Sequence, residues 1–179
     1  KQENVKATFF ILGSNVDSRK DVVKRMYEEG HYLANHGYSH TYSKIYSSPQ
    51  SVLDEYNECN DKVKNAIEVP DYNSHLFRFP GGLAGGKYAE IKKEAKELLL
   101  QNNIVNVDWN ALTGDAETNN LSVEFEMTRL TETMESKNSL VILMHDAAAK
   151  SVTADALPQI IAKLKEEGYE FKNFYDIIK

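Results

Sequence analysis

Short apolar runs alternate along the chain with longer stretches whose apolar residues recur every three to four positions. Residues 7–12 (ATFFIL) are aromatic and β-branched, and they predict a buried strand. Ser18 and Asp21 stand at the spacing of a capping box, with Val22, Val23, Met26 and Tyr27 at helical spacing behind them and Gly30 as a stop. Ser48-Pro49 opens a second helix whose inner stripe is Leu53, Tyr56, Val63 and Ile67. Residues 76–79 read as a short strand running into Pro80-Gly81-Gly82. Residues 88–101 read as a helix, with Ile91, Ala95, Leu98 and Leu99 facing inward. A strand over 104–109 and a helix over 122–135 follow. Residues 140–144 (LVILM) are the most uniformly apolar run and the clearest buried strand. A helix over 157–167 stopped by Gly168 and a last strand over 169–171 complete the pattern.

Strand and helix alternate, which argues for a parallel sheet covered by helices. Either a doubly wound sheet or a (β/α) barrel fits. The first strand is not followed by a glycine-rich phosphate loop, which weakens a nucleotide-binding reading. With no repeat, linker or low-complexity segment, residues 1–179 read as one domain, and residues 1–4 as the tail of a helix.

Composition narrows the function classes. A hydrophobic share of 41% beside 27% charged residues excludes disordered and fibrous classes. A net charge of −6 with both signs interleaved argues against nucleic acid as a partner. The single cysteine, Cys59, cannot form an internal disulfide and reads as a packing residue on a helix. No apolar stretch reaches the length of a transmembrane segment, and no signal peptide opens the sequence.

Four groups of polar residues fall just past strand ends, where parallel α/β folds build their sites. In Asn35-His36-Gly37-Tyr38-Ser39-His40, two histidines four residues apart can face one side and offer imidazole nitrogen to a divalent metal. In Arg78-Phe79-Pro80-Gly81-Gly82, a strand-end arginine calls for a carboxylate, and the glycines let backbone N–H groups approach a ligand. Asp108-Trp109 sets a carboxylate beside an indole suited to a sugar face. Leu143-Met144-His145-Asp146 ends the most apolar run with a histidine placed for acid–base work. A pairing of His145 with Asp108 would keep that histidine protonated. Taken singly, each group also has an ordinary structural reading, as a surface histidine pair, a structural ion pair, a core-edge tryptophan and a satisfied histidine. His31 and His75 have no such setting and read as structural.

In this order and spacing the four groups resemble the polysaccharide deacetylase family, also called the NodB-homology or carbohydrate esterase 4 family. His36 and His40 match its His-Ser/Thr-x-x-His motif with Gly37 in place of Ser or Thr. Residues 78–81 match Arg-x-Pro-Tyr/Phe with Gly81 in place of the aromatic, Asp108 and Trp109 match an Asp-Trp pair, and Leu143 and His145 match Leu-x-His. The resemblance implies a distorted parallel (β/α) barrel and metal-dependent removal of N-acetyl groups from N-acetylglucosamine polymers. It implies a divalent metal on His36 and His40, zinc first, with cobalt, nickel or manganese as alternatives. It gives His145 the role of general acid, Asp108 that of its orienting carboxylate, and Arg78 that of holding the catalytic base. The Gly81 N–H would stabilise the oxyanion, while Trp109 and Leu143 would shape the acetyl or sugar pocket.

The family's opening Thr-Phe-Asp-Asp-Gly strand, which carries the base and the third metal ligand, has no counterpart in this sequence. The barrel is therefore expected to be incomplete at the N-terminus, with residues 7–12 on an open sheet edge that invites self-association and with little activity in isolation. The Arg-Phe-Pro-Gly-Gly variant resembles deacetylases of Gram-positive cell walls, which implies a cell-wall glycan substrate and an extracellular or cell-surface location. A non-catalytic carbohydrate-binding remnant, or a deacetylase of chitin oligomers or acetylxylan, remains the alternative.

Overall fold

The computed structural model describes residues 3–177. The chain divides into two compact units, one of Lys6–Asp108 with Lys172–Lys179, the other of Trp109–Phe171 with Lys1–Val5.

The larger unit opens on β1 (Thr8–Ile11), the core of the expected first strand. A helical turn α1 (Gly13–Val16), a 3-10 turn (Asp17–Arg19) and α2 (Lys20–Glu28) then run on without a break. The capping box read at Ser18 and Asp21 does not form, because the helical course has already begun at Gly13. The Ser18 hydroxyl instead donates back to the Asn15 carbonyl at 3.0 Å. Strand β2 (Tyr32–Asn35) is wholly buried, and the sequence reading passed over it. Four residues between two glycines and a polar motif give too short a run to stand out.

Next come the turn α3 (Tyr42–Ile45) and the long helix α4 (Pro49–Ile67). Helix α4 begins as its sequence predicts, with Pro49 in the first turn and the Ser48 hydroxyl accepting from the Ser51 N–H at 3.1 Å. Its stripe of Leu53, Tyr56, Val63 and Ile67 is buried as expected, and Cys59 lies in the same core. Burial pushes the Cys59 thiol up to about 12, which fits packing rather than reactivity. Strands β3 (Leu76–Phe77) and β4 (Val105–Asn106) flank α5 (Ala89–Gln101), and both are shorter than predicted. Arg78 and Val107 still bond to the neighbouring strand, to the Asn35 and Phe77 carbonyls at 2.9 Å each.

All pairings in this sheet are parallel, in the order β1-β2-β3-β4, so β1 is a terminal strand. Ile11 pairs with Asn35, Asn35 with Phe77, and Phe77 with Asn106. His31 and His75, read as structural, both bond backbone groups. His31 Nδ1 accepts from the Ala7 N–H at 3.1 Å, and His75 Nδ1 lies 2.9 Å from the Asn103 carbonyl.

The smaller unit holds β5 (Ala111–Leu112), α6 (Val123–Met134), β6 (Ile142–Leu143) and α7 (Ser151–Glu166). Strands β5 and β6 pair in parallel, and the unit packs around Ala111, Leu130, Met134, Ala156, Ile160 and Leu164. Three expectations change. The run at 140–144 is half-buried and only two of its residues join a ladder. Helix α7 starts at Ser151 and carries Pro158 in its interior rather than beginning beside it. No strand forms at 169–171, where the Tyr169 hydroxyl instead donates to the Lys137 carbonyl. The helix tail read at residues 1–4 lies partly outside the described residues, and Glu3 is in a turn.

Gly13 is held against two neighbouring groups in the larger unit. A Cβ there would lie 2.7 Å from the Tyr38 ring and 2.8 Å from the Cys59 Cα, which is backbone and cannot swing aside. Gly13→Ala is expected to cost about 1–3 kcal/mol by overpacking. Urea denaturation at neutral pH checks this, and an unchanged midpoint would mean that α1 separates from α4 without penalty.

Candidate active-site groups

The parallel register carries the first two groups. His36 follows Asn35 at the end of β2, and its backbone N–H bonds the Ile11 carbonyl at 2.9 Å. The His36 ring donates from Nδ1 to the Arg78 carbonyl at 2.6 Å. That bond fixes the ring and puts its lone pair on Nε2, the arrangement usual for a metal-ligating imidazole. The His40 ring lies 5.2 Å from the His36 ring, centre to centre. Two imidazoles sharing one tetrahedral ion, with bonds of about 2.1 Å, place their centres roughly 5 Å apart. The pair therefore fits two positions of a zinc-like ion. Among the described residues, no cluster of three or more His, Cys, Asp or Glu forms a metal site.

The loop between the histidines is held by a residue the sequence reading missed. Glu55 on α4 accepts from the Tyr38 N–H at 3.0 Å, from the Ser39 N–H at 2.9 Å, and from the Ser39 hydroxyl. Its signal in the sequence is a carboxylate inside the stripe Val52, Tyr56 and Cys59, which reads as a break in the pattern. Gly37, the departure from the usual Ser or Thr, also has a physical reason. Its φ is +79°, and a Cβ would meet Ile45 Cδ1 at 2.8 Å and Glu55 Oε2 at 3.1 Å.

Arg78 is buried, its Nε donating to the Val107 carbonyl at 2.9 Å and its Nη2 to the Asp108 carbonyl at 3.0 Å. The guanidinium lies 3.8 Å over the Phe10 ring. Burial pushes Arg78 down to about 10, opposed by the Asp108 charge, and it stays cationic at neutral pH. Asp108 Oδ2 accepts from the Leu83 N–H at 2.9 Å, which ties the Gly81-Gly82 turn to the end of β4. Lys92, buried beneath the turn, donates to the Gly82 carbonyl at 2.7 Å. The Tyr46 hydroxyl donates to the Pro80 carbonyl at 2.7 Å. Gly81 itself is exposed, with a φ of +75°.

The smaller unit carries the remaining groups. His145 follows β6, and its Nδ1 meets Asp115 Oδ1 at 2.8 Å while its backbone N–H donates to Asp115 Oδ2 at 2.7 Å. Asp115 thus occupies the position at His145 Nδ1 that the sequence reading gave to Asp108. It was passed over because β5 is only two residues long and because Ala116, not tryptophan, follows it. Lys150 donates to the Asp115 carbonyl. Burial alone would raise Asp115, but hydrogen bonds from the His145 ring and backbone, with the charges of His145 and Lys150, outweigh it and hold the carboxyl low. The buried Glu126 behaves oppositely, burial pushing it up although it accepts from the Thr153 hydroxyl at 2.9 Å. Leu143, in β6, pairs with Leu112 and is half-buried, as is Trp109.

The polysaccharide deacetylase family model matches residues 1–101. The chain belongs to the polysaccharide deacetylase family. It is 32% identical to a peptidoglycan-N-acetylglucosamine deacetylase of Bacillus cereus, over 98% of this chain and 62% of that protein. It is also 32% identical to such a deacetylase of Listeria monocytogenes, over 96% of this chain and 32% of that one. The chain thus spans less than two thirds of these relatives. Among solved structures it resembles a CE4 esterase of Streptococcus mutans, at a TM-score of 0.87 and 32% identity over 96% of this chain and 75% of that one. It also resembles the catalytic domain of a peptidoglycan N-acetylglucosamine deacetylase from Eubacterium rectale, at a TM-score of 0.86 and 28% identity over 96% and 77%. The fold class is thus the parallel α/β class of these deacetylases, whose architecture is the NodB-type (β/α) barrel.

The two buried carboxyls of the smaller unit predict opposite acid responses. The native pKa of Asp115 lies below the unfolded value of about 3.9, so the native state binds fewer protons and stability falls as pH drops through that range. The native pKa of Glu126 lies above its unfolded value of about 4.3, so its contribution is present below that pH and fades as pH rises. Asp115→Asn should flatten the acid loss of stability, and Glu126→Gln should help more at pH 7 than at pH 4. Urea midpoints across pH 3–8 measure both, and parallel curves for wild type and variants would refute the assignment.

Proposed function

We propose that the protein hydrolyses N-acetyl groups from N-acetylglucosamine units of cell-wall glycan, with a divalent metal held by His36 and His40. The observation that carries this reading is the histidine pair itself, with rings 5.2 Å apart and the His36 tautomer set by the Arg78 carbonyl. A bound cation, zinc before cobalt, nickel or manganese, would supply Lewis acidity toward the acetamide carbonyl and a water, whose proton would pass to the base carboxylate of the family's Asp-Asp strand, which this sequence does not contain. The N–H of Gly81, an exposed residue, stabilises the developing oxyanion, in a turn anchored by Asp108, Tyr46 and Lys92. Arg78 fixes His36 through its own carbonyl and positions charge at the strand ends. His145 protonates the departing amine, its ring oriented by Asp115 at Nδ1. Trp109 and Leu143 shape the acetyl or sugar pocket. The names of the relatives favour peptidoglycan over chitin oligomers or acetylxylan and a site of action at or outside the cell surface. No described helix is long and apolar enough to cross a membrane. The alternative of carbohydrate binding without catalysis is favoured by one observation, that the two histidines have no third ligand among the described residues.

Two experiments test the reading. After dialysis against zinc, wild type should retain metal, His36→Ala/His40→Ala should retain none, and Glu55→Ala should bind roughly ten- to a hundredfold more weakly. Equal metal in wild type and the double variant would remove the site. In a protein that also carries the family's Asp-Asp strand, acetate release should be fastest from peptidoglycan, and His145→Ala should lower it about a hundred- to ten-thousandfold without loss of metal. Preference for acetylxylan would overturn the substrate assignment, and glycan binding without acetate release would leave the non-catalytic reading.

A further inference from the structure

Tyr42 has no part in the roles assigned so far, yet it stands between two of them. It is the first residue of α3, two positions after His40, and its ring lies 5.8 Å from the His40 ring, centre to centre. Its hydroxyl lies over Gly81, so close that a Cβ on Gly81 would sit 2.5 Å from that oxygen and 3.2 Å from Tyr42 Cζ. The motif that residues 78–81 resemble carries an aromatic side chain at position 81, and here an aromatic ring reaches the same backbone from another element. Two anchors hold Tyr42 there. Ile45 and Tyr46, in the same turn, are fully buried, and the Tyr46 hydroxyl grips the Pro80 carbonyl at 2.7 Å. The ring also leans on Tyr46 at 5.6 Å and on Tyr88 at 6.5 Å, both near-perpendicular. Packed on one side, Tyr42 nevertheless keeps 40% of its surface open. A large aromatic ring anchored from behind and open in front, beside a metal-binding histidine and an oxyanion-type N–H, suits the apolar C–H face of a sugar.

We infer that Tyr42 is a substrate-contacting, specificity-determining residue, its ring forming the wall on which an N-acetylglucosamine unit rests between His40 and Gly81. The inference rests on the deacetylase reading for the choice of sugar, but its test does not require turnover. Gly81 belongs to the same device, because only a residue without a Cβ leaves room for the phenol.

The probe is the N-acetylglucosamine tetramer, titrated by NMR or calorimetry into the zinc-treated protein. Tyr42→Ala should weaken binding roughly five- to thirtyfold, the usual effect of truncating a contact aromatic, while zinc retention and thermal stability stay at wild-type values. Tyr42→Phe should keep most of the affinity, because the ring rather than the hydroxyl meets the sugar. Gly81→Ala should weaken binding by displacing the ring, and should add little in the Tyr42→Ala background, a non-additivity that independent roles would not give. Wild-type affinity in Tyr42→Ala, additive losses in the double variant, or a wild type that binds no tetramer would each overturn the inference. Tetramer binding by the wild type, with no acetate release even when the family's Asp-Asp strand is supplied, would defeat the deacetylase reading alone and leave Tyr42 to be decided by these titrations.

Discussion

One register row governs the larger unit. Ile11, Asn35, Phe77 and Asn106 lie side by side across four parallel strands. Parallel pairing sends each following residue out of the same edge, so His36, Arg78 and Val107 emerge together although 71 positions separate the first from the last. A shift of one residue in any strand would turn these side chains to the opposite face. The chemistry of the edge is thus a consequence of backbone pairing, and the loops only refine it.

What refines it is the demand of strand-end carbonyls for donors. Past the ladder, the carbonyls of Arg78, Val107 and Asp108 have no strand partner, and in a buried setting each must find one. The His36 ring takes the first and the Arg78 guanidinium the other two. Each bond that satisfies the backbone also fixes a functional side chain. Lys92 repeats the pattern one layer down at the Gly82 carbonyl, and Tyr46 at the Pro80 carbonyl. Removing one of these donors would leave a buried acceptor unmet and at the same time loosen the group it positions.

Much of this was legible in the residues. Helix α4 announced its cap, its proline and its stripe, and the polar groups past the strands stood out against apolar runs. The parallel α/β class followed from alternation alone. Short elements were not legible. The two-residue β5 and the four-residue β2 carry no periodicity to read, yet β5 places Asp115. The partner of His145 was sought next to a tryptophan, whereas three-dimensional pairing brought it from a Thr-Gly-Asp turn that local chemistry marks only as a turn. Glu55 was hidden for a related reason. A carboxylate within an apolar stripe looks like a break in the pattern until the loop it holds is known.

Asp115 and Glu126 show why burial alone does not decide the charge of a group. Both carboxyls are almost fully enclosed in the same unit, and enclosure pushes both upward. Asp115 receives a ring N–H and a backbone N–H from His145, with the charge of Lys150 nearby, and it is held low. Glu126 receives the Thr153 hydroxyl at Oε1, has no hydrogen-bond partner at Oε2 among the described residues, and faces the charge of Asp115, and it is held high. The charge of Asp115 adds to the rise of Glu126, while the stronger donors gather on Asp115. The carboxyl that keeps its charge is the one that touches His145, so the ionised form is retained where it can fix a histidine tautomer. Glu126, its pKa pushed up, is left to fill the core. The distribution of a few N–H groups, rather than depth, thus separates an acid–base partner from a packing residue.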